Sequence, residues 1–124
     1  MLFANSLNAV WVQMGSDIEG ELAAYLRYEV SLSTDGSTIA VGDLDNVGNG
    51  DDSGHVRIYD FDSASNTWIQ LGSDIDGESA RDGSGSSVSL SADGSTVAIG
   101  AEGNDGNGDD SGHVRIYDYD SVRK

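Results

Sequence analysis

The residues best suited to chemistry in this chain are hard oxygen donors set at alternate positions in one glycine-rich stretch. Gly103 to Gly112 reads Gly-Asn-Asp-Gly-Asn-Gly-Asp-Asp-Ser-Gly, with Asp105, Asn107 and Asp109 alternating and Asp110 following. Alternation of this kind lets a calcium loop gather carboxylate and amide oxygens around one ion, and the glycines between them let the backbone turn tightly enough to add carbonyls. Two parts of that pattern are missing: the glycine expected after the third ligand is Asp110, and no bidentate Glu follows. A second stretch, Asp43 to Gly54, is a weaker counterpart, with Val47 in the place of Asp105; it keeps Asn49, Asp51 and Asp52, and has Asp43 and Asp45 upstream. One reading is therefore Ca²⁺ held by Asp105, Asn107, Asp109 and Asp110, and secondarily by Asn49 and Asp51. The other is a solvated turn in which Asp and Asn side chains bond their own backbone.

The remaining reactive side chains point away from catalysis. His55 and His113 open equivalent segments, with no second His or Cys at ligand spacing, so a strand-edge position explains them better than a metal. Ser53 and Ser111 precede glycine without any nucleophile-elbow pattern. Carboxylates recur at equivalent places in two halves of the chain, which reads as repeat architecture rather than a glycosidase pair. No catalytic residue and no organic cofactor is expected. Trp11 and Trp68 also occupy equivalent places; packing between repeats is one role for them, and stacking on a sugar or partner is the other.

The elements that position these residues follow from an internal repeat. Trp11-Val12-Gln13-Met14-Gly15-Ser16-Asp17-Ile18 returns as Trp68-Ile69-Gln70-Leu71-Gly72-Ser73-Asp74-Ile75, and Gly48 to Asp62 returns as Gly106 to Asp120 with one change, Phe61 to Tyr119. Each copy reads as four short strands, exemplified by Val88–Ser91, Thr96–Gly100, His113–Tyr119 and Trp68–Gly72, rich in Val, Ile, Thr, Tyr and Trp and alternating in polarity. Thr34-Asp35-Gly36-Ser37 and Ala92-Asp93-Gly94-Ser95 are hairpin turns between the first two strands. Leu22 to Tyr28 breaks the repeat and predicts a helical turn. Four strands per unit predict an all-β chain of two four-stranded antiparallel propeller-blade repeats, a partial β-propeller or one completed by oligomerisation. Residues 1–10 are a lead-in, 11–67 the first repeat and 68–124 the second.

Composition narrows the partners. With 6 Lys and Arg against 22 Asp and Glu, the formal net charge is −16, which repels nucleic acid and anionic lipid and attracts cations or basic partners. Cysteine is absent, so disulfide and thiolate chemistry are excluded. The first ten residues do not read as a signal peptide, and no apolar run is long enough for membrane insertion.

Gly85-Ser86-Ser87-Val88-Ser89-Leu90-Ser91, then Val97-Ala98-Ile99-Gly100-Ala101, then Gly112-His113-Val114-Arg115-Ile116-Tyr117 resembles the FG-GAP repeat of integrin α-subunit propellers and their microbial relatives. Only Gly85 of the Phe-Gly opening is matched, and Arg27-Tyr28-Glu29 stands there in the first copy. The resemblance implies an extracellular or cell-surface module for adhesion or ligand binding. The calcium loop of many members does not carry over, because Ser91 to Ser95 offers a single carboxylate, Asp93. The expected function is thus a non-enzymatic FG-GAP-like module for binding or adhesion to a protein or glycan, with calcium as the candidate ion. A structural spacer in a larger surface protein is the alternative, and a carbohydrate-active enzyme the third reading. Two units expose apolar sheet faces, so further blades of the same array or a homo-oligomer are expected partners. Trp11 to Gly15 is placed to serve as the fourth strand of the sheet formed by Val88 to Tyr119, within the chain or between chains.

Overall fold

Backbone alternation and turn chemistry translate directly into strands. The computed structural model describes residues 9–20 and 27–120. Among them it is all-β, with strands β1 (Tyr28–Leu32), β2 (Thr38–Asp43), β3 (His55–Asp62), β4 (Thr67–Gln70), β5 (Ile75–Asp76), β6 (Ser84–Leu90), β7 (Thr96–Ala101) and β8 (His113–Asp118). They form two antiparallel sheets: β1-β2-β3-β4 with β5 also on β3, and β6-β7-β8. The hairpin turns are built alike. The Oδ1 of Asp35 accepts from Ser33 Oγ, Ser37 N and Ser37 Oγ, and Asp93 does the same with Ser91 and Ser95. Gly36 and Gly94 supply the left-handed residue, at φ 75° and 76°.

The core lies between the sheets. Ala40, Val56 and Ile58 of the first sheet meet Val97 and Ile99 of the second, with Leu71, Ile75, Val88, Leu90 and Tyr117 around them. The packing is head-to-tail. Val88, Leu90, Val97, Ile99 and Tyr117 belong to the face that in the first sheet carries Val30, Leu32, Ile39, Val41 and Tyr59; Ala40, Val56 and Ile58 correspond to Ala98, Val114 and Ile116. Equivalent residues therefore have opposite fates. Val56 and Ile58 are 0% and 9% exposed, whereas Val114 and Ile116 are 67% and 70% exposed. The sheets approach backbone to backbone where β2 crosses β6: a Cβ on Gly42 would sit 2.5 Å from the Gly85 carbonyl oxygen.

Several expectations need correction. Trp11 to Gly15 is not a strand: it carries no ladder, Trp11 is fully exposed, and its backbone is tied through Trp68 Nε1, which donates to the Met14 carbonyl at 3.0 Å. An extended segment becomes a strand through backbone pairing, and beside Trp68 this one meets a ring instead. Trp68, the first residue of the second repeat, packs across the β3–β4 ladder on Phe61 of the first, with ring centroids 5.2 Å apart and planes at 59°. The first strand of the second repeat starts at Ser84, earlier than Val88, through an irregularity between Ser84 and Ser87. The helical turn expected from Leu22 falls largely on residues 21–26, outside the described residues, and Tyr28 already belongs to β1.

The equivalent pair Val56 and Val114 separates burial from sequence. Val56→Ala is expected to cost about 2–3 kcal/mol by urea unfolding of the dilute chain, and Val114→Ala less than about 0.5 kcal/mol.

Candidate functional site

Both long loops, 44–54 and 102–112, fold on the same internal bonds. Asn46 Oδ1 accepts from Gly48 N and Asn104 Oδ1 from Gly106 N, each at 2.8 Å. Ser53 Oγ accepts from Asn49 N at 3.1 Å and donates to the Asn46 carbonyl at 3.3 Å; Ser111 repeats this with Asn107 and Asn104 at 3.3 and 3.4 Å. Gly54 N and Gly112 N close the loops onto the Asn46 and Asn104 carbonyls at 2.9 and 2.8 Å. Asp52 and Asp110 take the left-handed conformation at φ 55° and 52°, one that Asp tolerates better than most side chains.

That shape turns a row of backbone groups outward, and in the first loop the row is used. The carbonyls of Asp51, Asp52, Ser53 and Gly54 accept from Arg81 N, Gly83 N, Ser84 N and Gly77 N at 2.7–2.9 Å. Asn49 Nδ2 donates to the Gly77 and Glu78 carbonyls at 2.8 and 2.9 Å. The segment held is the one that crosses from the first sheet to the second. Its fit is close enough to require glycine at Gly77, where a Cβ would stand 2.0 Å from the Ser53 carbonyl oxygen. The second loop has the same conformation, is exposed from Asp105 to Ser111, and holds no such segment among the described residues.

The residues singled out as calcium ligands take these positions. Asp105, Asn107, Asp109 and Asp110 are exposed, and Asp105 Oδ1 accepts from Asp110 N at 2.8 Å. Asn49 is engaged by the crossing segment, and Asp51 is exposed while its carbonyl takes Arg81 N. The donors that converge among the described residues lie elsewhere: ligand atoms of His55, Asp74 and Asp76 are within 4.8 Å of one another. Arg57 already occupies Asp74 with two bonds, at 2.7 and 2.8 Å, and Gln70 Nε2 adds a third at 2.7 Å. The guanidinium holds the Asp74 carboxyl down to about 2, from an ordinary 3.8. Its charge meets the need a cation would otherwise serve, so the cluster reads as an ion-pair network.

The second repeat has its own version. Glu78 pairs with Arg115 and lies 4.0 Å from His113 Nδ1, and Arg115 holds its carboxyl below the usual range. The crossing segment is thus tied by Asp74 to β3 and by Glu78 to β8. The sequence signal for this network was the repeated His-Val-Arg at 55–57 and 113–115, whose partners lie too far along the chain to be paired without the fold. Comparison with known proteins adds no assignment: no family model, curated protein or solved structure matches the chain.

Asp74 makes stability depend on pH. A carboxyl whose folded pKa is depressed stabilises the fold above its unfolded value and loses that contribution as pH falls through the folded one. Urea unfolding is expected to show about 1 kcal/mol lost between roughly pH 4 and pH 2, discounted for partial exposure of the pair. Asp74→Asn removes this part of the acid dependence.

Proposed function

We propose that the chain is a non-enzymatic binding module built of FG-GAP-like propeller blades, and that the outer side of its second repeat takes up an extended polypeptide segment. One observation carries this reading. Loop 102–112 keeps the folded shape in which loop 44–54 grips residues 77–84, yet stands exposed beside the outer edge of β8, which pairs with no further strand among the described residues, and the apolar side chains of Val114 and Ile116. A preformed loop, an unpaired strand edge and an apolar face together match recognition by strand addition, in which backbone bonds provide affinity and side-chain pockets selectivity.

The non-enzymatic part rests on how the carboxylates are used. Asp35 and Asp93 shape turns, while Asp74 and Glu78 are spent on arginines. Adhesion, as in FG-GAP modules at cell surfaces, is the broader role in which such a surface would serve.

A labelled peptide with the sequence of residues 66–84, the segment the first repeat holds, tests this. Offered to the dilute chain, it is expected to bind saturably with Kd between about 10 μM and 1 mM. Val114→Lys, which places a charge against the peptide without disturbing the core, is expected to weaken binding at least about tenfold. A Kd above about 1 mM contradicts the proposal.

A further inference from the structure

The surface on the second sheet has a partner whose residues can be named. Resting on the binding reading above, we infer that its occupant is the segment from Trp11 to Gly20 of a second copy of this chain, and that copies join head to tail.

The inner interface specifies the geometry. β3 pairs with β4 through Tyr59↔Gln70, Asp60↔Ile69 and Phe61↔Trp68, and with β5 through His55↔Asp76 and Val56↔Ile75. Each of these residues has a counterpart in the repeat. Transferred to the outer surface, β8 of one copy pairs Tyr117 with Gln13, Asp118 with Val12 and Tyr119 with Trp11 of the next, then His113 with Glu19 and Val114 with Ile18. Trp11 would then lie on Tyr119 as Trp68 lies on Phe61, which explains why a tryptophan of a repeated motif stands fully exposed in the single chain.

Three further features of the segment and its target agree. Ile18, Glu19 and Gly20 already line the hollow over Val30, Val41, Arg57 and Tyr59, as Asp76, Gly77 and Glu78 line the one beside Ile99, Arg115 and Tyr117. Gly20 corresponds to Gly77, the position where the gripping loop leaves no room for a Cβ. A cleft of about 530 Å³ lined by Leu71, Leu90, Tyr117 and Tyr119 lies between the sheets where Trp11 and Gln13 would enter. Joining copies would also bring Val114 and Ile116 against Val30 and Leu32, now 62% and 57% exposed, repeating the inner core.

One inner contact does not recur: Gly85 packs on Gly42, and Arg27 stands in its place, so the copied interface is interrupted there. Because the two joined surfaces differ, the contact is heterologous and builds rings or chains rather than a two-fold dimer.

Light scattering and disulfide trapping test this in the cysteine-free chain. At about 0.5 M NaCl, which limits repulsion between the acidic copies to a few Å, mass is expected to rise with concentration beyond two copies. Val114→Lys and Trp11→Ala are each expected to hold the chain at the mass of one copy with its circular dichroism unchanged. Oxidising Val12→Cys with Asp118→Cys is expected to give covalent multimers, which Val12→Cys with Ser63→Cys does not. An intramolecular disulfide in a monomer would overturn the second copy as occupant while leaving the binding surface standing. A monomer at all concentrations without cross-links would overturn it as well, and the separate peptide titration then decides whether the binding reading survives.

Discussion

The structure depends on one arrangement: the front of one sheet seated on the back of its neighbour, with a closed loop of the neighbour clasping the segment that passes between them. The five buried apolar side chains of the core belong to that seat. The clasp is made chiefly of main-chain groups, so it holds only where the passing segment comes close, and Gly54 and Gly77 allow that approach. Ion pairs on either side, Arg57 with Asp74 and Arg115 with Glu78, fix the segment to both sheets.

This arrangement also accounts for how a chain of net charge −16 folds. Many of its carboxylates have local work: Asp35, Asp62 and Asp93 accept backbone or hydroxyl hydrogens at turns, and those bonds keep their acidities strong. Charge used in this way costs less than charge left to repel, because the anionic form is the one the hydrogen bonds favour. Asn46 and Asn104 do the corresponding task in the loops without charge.

Much of the fold was legible in the sequence. Alternating apolar residues, Asp-Gly turns and the near-identity of Gly48–Asp62 with Gly106–Asp120 located seven strands, both hairpins and both loops, because these signals are local. The loops' chemistry was less so. Asp105, Asn107 and Asp109 look like ligands by residue type, whereas in the equivalent loop the contacts to the crossing segment come chiefly from carbonyls, which every residue has and no sequence distinguishes. The Arg57–Asp74 pair spans 17 positions and is visible only once β3 and the crossing segment are side by side. Trp11 and Trp68 share their motif and differ wholly in surroundings, since whether such a segment becomes a strand depends on an available edge and not on its own residues.

Among the described residues the repeat therefore presents two copies of one surface, one filled and one open. Amide hydrogen exchange along β8, followed as the chain is concentrated, measures this most directly. Protection at residues 113–119 is expected to rise towards that of the doubly paired residues 55–61, as an open edge gains a ladder. Exchange along β8 that stays that of an open edge at every concentration, while 55–61 remains protected, would contradict the account.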